Sequence, residues 1–258
     1  MSRERMSVPP HVVQALQQIN SWAEATGQHS PVVDPGSSLS GDDTKVPTLM
    51  VSSAAYQCFT YSVDHLHAVQ ALLFEAKVIH SYAPYSLLRA AVEAAGEAIW
   101  LLEPNSRKER IRRCLKRAHE NIRQGKDFMD LSGVQPSGRS HTERVLEIRD
   151  LAAQNELDPN DVCGRWSTQR QLKYVDEAAG VGKEALAQNL WQICSGFAHG
   201  REWATLGLLE RTVHSQVGNV VQLRLSSSTE VLLNMVYMTT QLIGKAKRLY
   251  DTRSTCHR

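Results

Sequence analysis

Phe59, Ser62, Leu66, Val69, Leu73 and Ala76 recur at intervals of three and four residues, and that interval leaves the segment little choice of conformation. An α-helix turns by about 100° per residue, so these positions fall on one side, as the seam of a bundle helix does. The pattern predicts a helix from about Thr48 to His80, broken by "HSYAP" at Pro84. A second follows in "YSLLRAAVEAAGEAIWLLEP", with Leu88, Val92, Ala95, Ile99 and Leu102 on one side and Pro104 as its stop. A third spans about Ser106 to Leu131, with Ile111, Leu115, Ala118, Ile122 and Met129 as its apolar stripe. Further helices are predicted at about Ser140–Gln154, Thr168–Ala179 and Lys183–Ala198.

The period then changes. Val221, Leu223 and Leu225 alternate with Gln222 and Arg224, so "TVHSQVGNVVQLRL" predicts a β-hairpin turning at Gly218-Asn219. A last helix follows, and Ser227 to Glu230 fits a capping box at its start. The expected fold is all-α: a helical bundle with one small β-hairpin before the C-terminal helix. Residues 9–29 offer a short helix, and the Pro-, Gly-, Ser- and Asp-rich run from Ser30 to Pro47 reads as a flexible linker. The expected division is an N-terminal segment and linker over 1–47 and a bundle domain over 48–258.

Composition excludes several classes. The net charge of +2 is too small to argue for nucleic acid or an anionic membrane by itself. Five scattered cysteines with no C-x-x-C pair support neither a zinc knuckle nor a disulfide framework. The start "MSRERMSVPP" lacks a signal-peptide core, and the uncharged run from Val46 to Val63 is too polar for a membrane span. A cytoplasmic, soluble protein without a membrane partner is expected. No elbow, phosphate loop or dinucleotide fingerprint is present, and no cofactor is expected.

Three stretches carry candidate chemistry. On the second helix Arg89, Glu93, Gly96, Glu97 and Trp100 share about a quarter of the circumference. This stripe is read as a solvated ion pair, as a covered functional cluster, or as the wall of a small-molecule pocket beside Trp100. A metal centre would need Glu-x-x-His elements that the chain lacks, so no metal is expected. On the third helix "RKERIRRCLKRAHENIRQGK" sets nine lysines and arginines against two glutamates. Arg110, Arg112, Arg113, Lys116 and Arg117, with His119, form a basic face suited to tracking phosphate, or one that merely solvates a helix. The third stretch is "WQICSGFAHGREW", where Gln188, Gln192, Ser195 and His199 make an uncharged polar row. Gly200 suits a helix stop, whereas Gly196 and His199 need another reason. Trp191 and Trp203 flank His199 and are placed to shield it. Were the two helices to meet, Glu93 would orient the His199 imidazole and Gly196 would let the helices touch.

The second helix, the arginine-rich third helix, and "LWQICSGFAHG" followed by a hairpin resemble a group of actinobacterial helical proteins over roughly residues 50–250. The general shape, a bundle with a histidine ending a late helix, is similar to that of the HEPN superfamily. That resemblance implies dimeric, metal-independent ribonucleases of toxin–antitoxin, CRISPR and anti-phage systems, or relatives that have lost catalysis and serve in binding. HEPN ribonucleases carry Arg-x(4–6)-His. Here the residues five to seven before His199 are Cys194, Ile193 and Gln192, so the motif is degenerate. Arg112 or Arg113 with His119 meets the spacing literally on an earlier helix, and Arg89 or Arg201 is placed to lend an arginine to His199. The expectation is a non-catalytic or weakly catalytic bundle binding RNA or an acidic protein partner as a homodimer, in stress or phage defence. The alternative is a ribonuclease in which His199 is the general base, with Arg89 and Glu93 beside it.

Overall fold

The computed structural model describes residues 8–27, 31–134, 138–165, 167–180 and 186–256. Among them are eleven α-helices and one antiparallel hairpin, the all-α bundle expected. Helix α1 is Pro10–Thr26, α2 Ser38–Asp43, α3 Val51–Gln70, α4 Ala83–Leu102, α5 Arg107–Ser132 and α6 His141–Gln154. Then come α7 Pro159–Val162, α8 Thr168–Ala178, α9 Leu186–Ala198, α10 Glu202–Leu208, strands β1 Glu210–Val217 and β2 Val220–Ser226, and α11 Thr229–Ser254. Residues 181–185, into which the predicted start of α9 fell, lie outside the described residues. No helix among the described residues is long and apolar enough to cross a membrane.

Helix α4 is the axis of the bundle. Leu88, Ala91, Val92, Ala95, Ile99 and Leu102 are all fully buried along it, and α3, α8, α9 and α11 pack around it. The alanines keep the neighbouring backbones close. Pro84 lies in the first turn of α4, where its missing N–H costs no intrahelical bond. Helix α3 ends earlier than its period suggests, passing into a π-helical turn over Ala71–Glu75 before Lys77 takes a positive φ of 55°.

Two local expectations give way to tertiary contacts. Residues 31–47, read as linker, pack onto the bundle: Leu39 and Val46 are fully buried. Asp42, also fully buried, receives two guanidinium bonds from Arg110, at 2.6 Å and 2.8 Å. Helix α1 joins the same core through Val12, Ile19 and Trp22. The capping box before α11 is not made. The cap residue is Ser228 without a side-chain bond, because the Ser227 hydroxyl instead donates to the carbonyls of His80 and Ser81.

The hairpin turns at Gly218 and Asn219, with Val217 opposite Val220, and Gly218 has a φ of +59°. An irregularity at His214 shifts the register between Val213 and Ser215. Both strands are largely exposed and stand out from the bundle.

Candidate functional site

Helices α4 and α9 meet, and the contact is made by Tyr85 stacking on Phe197 with ring centres 3.8 Å apart. Above this stack lie Arg89, Glu93, Trp191 and His199. The Arg89 Nε donates to Glu93 Oε1 at 2.9 Å, and the Trp191 indole N–H donates to the same oxygen at 2.6 Å. The Arg89 Nη1 lies 3.2 Å from His199 Nε2. A guanidinium has donors and no acceptor, so in this contact Arg89 donates and Nε2 accepts. Arg89 Nη2 has no hydrogen bond to a described residue.

Arg89 and Glu93 are one turn apart on α4 and pair with side chains about one-quarter to one-third exposed, 27% and 34%. Glu93 holds Arg89 from below, and no bond joins Glu93 to His199 among the described residues. The carboxylate expected to orient the imidazole positions the arginine instead, and the arginine meets the imidazole.

His199 follows the last residue of α9 and is exposed. Gly200 takes φ +60° and its N–H bonds the Phe197 carbonyl at 3.1 Å, while the Arg201 N–H bonds Gly196 at 2.8 Å. This pair of bonds is the Schellman stop, which needs a left-handed residue at Gly200. Gly196 serves another contact. A Cβ there would lie 2.6 Å from the Trp203 ring and 2.8 Å from the Ala204 methyl, so the glycine admits α10 and not α4. Trp203 lies against Gly196 and is itself 49% exposed; it does not enclose His199. Gly196→Ala is therefore expected to cost about 1–3 kcal/mol by overpacking. Gly207→Ala, in open space on α10, is expected to be neutral or slightly stabilising. Urea unfolding of the two variants checks the contrast.

The polar row on α9 does not form one site. Gln188 turns to Asp176 of α8, whose carboxylate also accepts the N–H groups of Ala187 and Gln188 at 2.8 Å and 3.0 Å. Asp176 thus caps α9 from a neighbouring helix. Ser195 is buried and Gln192 exposed.

The α4 stripe is covered from Gly96 onward. Gly96 makes room for Leu172 of α8, which would lie 2.4 Å from an added Cβ. Glu97 pairs with Arg117 at 2.9 Å. Burial pushes the Glu97 carboxyl up, with Arg117 working against it and Glu93 adding to it. Trp100 is stacked by the Arg113 guanidinium 5.0 Å from its centre, and Tyr174 takes the other contact of that guanidinium at 4.0 Å. The space beside Trp100 is thus occupied by the protein's own side chains.

The basic face expected on α5 is mostly turned inward. Arg110 and Arg113 are only 2% and 6% exposed. Arg110 is held by Asp42, Ser38 and the Pro104 and Asn105 carbonyls. Arg113 donates to Glu109 and to the Trp100 carbonyl, at 2.7 Å and 2.6 Å. Arg112 binds Glu109 and Asp161, Lys116 donates to the Asp161 carbonyl, and Arg117 binds Glu97 and Gln57. The physical reason is that each guanidinium finds a carboxylate or carbonyl supplied by another segment. With Arg112 and Arg113 so committed, neither joins His119. That histidine lies in a cleft with Arg123, Cys163 and Arg165, and burial holds its imidazole below the ordinary value.

Fold and site together define a helical bundle carrying an arginine–histidine pair at the surface seam of two of its helices. No protein-family model matches the chain, and comparison with curated proteins and with solved structures likewise gives no match.

Proposed function

We propose that this bundle is a HEPN-like RNA-binding protein whose centre is the Arg89–His199 pair. One observation carries the reading: a guanidinium and an imidazole 110 residues apart in sequence lie 3.2 Å apart, with the imidazole exposed. An RNA phosphate has the charge and the paired oxygens that a guanidinium edge binds, and the imidazole beside it adds a second donor or acceptor. Glu93 and Trp191 hold Arg89 so that little side-chain freedom is lost on binding. Arg201, exposed two residues after His199, adds a cation to the same surface.

A second reading, metal-independent cleavage, is favoured by the same distance. The arginine absent from the residues before His199 is supplied in space by Arg89. In that chemistry Arg89 turns from His199 to the phosphate and frees Nε2, which takes the proton of a 2′-hydroxyl. The oxygen attacks the adjacent phosphorus, and the imidazolium gives its proton to the departing 5′-oxygen, leaving a 2′,3′-cyclic phosphate and a 5′-hydroxyl end. Arg89 holds the non-bridging oxygens as their charge grows. A homodimer, a cytoplasmic setting, a role in stress or phage defence, and an acidic protein as alternative partner belong to the same proposal and rest on the resemblance alone.

The experiment is RNA binding and cleavage with a pool of structured RNAs and no added metal, comparing wild type, Arg89→Ala and His199→Ala. The expected result is salt-sensitive binding that weakens at least about ten-fold in Arg89→Ala. Cyclic-phosphate ends lost in both variants would establish cleavage. Wild-type binding that neither substitution changes would overturn the assignment.

A further inference from the structure

A second concave site lies away from the Arg89–His199 pair, between α3, α5 and α6. Its volume is about 670 Å³, within the range of about 300–1,000 Å³ that small-molecule sites occupy. Leu49, Ala54, Ala118, Ile122 and Ile148 supply apolar lining, and Arg117, Arg139 and Arg144 supply charge. Glu147 is the one carboxylate among the lining residues, and Arg139 is bound to it.

The three guanidinium groups are not equivalent. Arg117 is anchored by Glu97 at 2.9 Å and reaches Gln57 at 3.2 Å. Arg139 is committed to Glu147. Arg144 is exposed, and its guanidinium makes no hydrogen bond or ion pair to a described residue; it feels Glu147 at longer range. A free guanidinium over an apolar wall is the recognition pattern for an oxyanion attached to a hydrophobic body. The lining thiol adds no covalent chemistry. Cys114 is buried and donates to the Leu49 carbonyl at 3.2 Å, and burial pushes its thiol up to about 12. No group of three or more metal-ligating side chains exists among the described residues.

We propose that the cleft between α3, α5 and α6 binds a small organic anion, its carboxylate or phosphate head on Arg144 and its apolar body against Ala118, Ile122 and Ile148. A fused aromatic ring pair is small enough to enter a cleft of about 670 Å³. This site is independent of the RNA proposal, because it uses no residue of α9 and neither Arg89 nor Glu93.

The test is calorimetric titration of the full chain with three probes of one shape: 2-naphthoate, 2-naphthyl phosphate and uncharged 2-naphthalenemethanol. Saturable binding of at least one anion is expected, with the alcohol at least about ten-fold weaker; the two anions show which head the site prefers. Arg144→Gln should weaken the anion at least ten-fold and leave the alcohol unchanged. Ala118→Leu, which fills the cleft from a half-buried position, should weaken all three probes. His199→Ala should change none of these, which separates this site from the RNA reading. Absence of saturable anion binding overturns the proposal, and so does anion binding that is indifferent to Arg144→Gln and Ala118→Leu.

Discussion

Asp42→Ala lowers the free energy of unfolding by about 3–5 kcal/mol, the expected cost of stranding a buried cation. Asp42 is fully buried and Arg110 2% exposed, so no water replaces the lost carboxylate. The other bonds of Arg110, to the Ser38 hydroxyl and the Pro104 and Asn105 carbonyls, leave its charge unneutralised. The outcome is read as a fall in the urea midpoint at unchanged slope. A matched change, Asp42→Leu with Arg110→Met, recovers part of the loss. It removes the buried charges and their desolvation cost, but leaves the half-exposed Arg107 without Asp42 and the Pro104 and Asn105 carbonyls without their donor. Asp127→Ala, which breaks the solvent-exposed pair with Arg123, scarcely moves the midpoint. An Asp42→Ala variant as stable as wild type would show that the Asp42–Arg110 pair adds nothing to the bundle.

Arg113→Ala is expected to cost about 3 kcal/mol, from lost charge-assisted bonds of about 1.5–3 kcal/mol and lost stacking. Its guanidinium bonds the Trp100 carbonyl and Glu109 and lies 4.0 Å and 5.0 Å from the Tyr174 and Trp100 ring centres. Arg113→Lys recovers little, since an ammonium has neither the fork nor the planar face. The loss shrinks on the acid side through Glu109, because protonation takes the Arg113–Glu109 bond from the wild type as well. Burial alone would raise the Glu109 carboxyl, but the bonds from Arg112 and Arg113 outweigh it and hold the group below its ordinary 4.5. A depressed carboxyl stabilises the fold in full above that value and loses its contribution as pH falls through the folded value. The pH–stability profile of Glu109→Gln should therefore be flatter below pH 4.5 than that of wild type. An unchanged profile would mean that these bonds are not held in solution.

Regular elements were legible because their signals are local. The periods of α3 to α6, the alternation of β2 and the glycine turn at Gly218 each occupy adjacent residues. What escaped depends on distant partners. Leu39 and Val46 are too few to make a period, so their segment looked like linker although both are buried. Arg110 and Arg113 read as a face because charge is ordinarily solvated, and only partners on other segments, Asp42 for Arg110 and the Trp100 carbonyl for Arg113, reveal the alternative. A short SSLSGDD helix opened by a serine cap was the available sign that Asp42 stands on structure. At the candidate site, Gly200 marks the end of α9 in the sequence, whereas the approach of Arg89 to His199 depends on the meeting of α4 and α9. Glu93 was assigned to the imidazole because triad chemistry puts a carboxylate there; the Trp191 indole, reaching across from α9, bonds it where it holds Arg89.

The place of α11 in the bundle bears on synthesis. Leu232, Val236 and Ile243 are fully buried, and the helix packs on α1, α3 and α4. Those three helices leave the ribosome first, yet each keeps an uncovered apolar flank until the segment from Thr229 onward has been made. Contacts between elements so far apart in the chain close late, because the intervening loop must be ordered before they form. The nascent bundle therefore spends most of its translation with its central helix half wrapped, at the stage when exposed apolar surface is most prone to wrong partners.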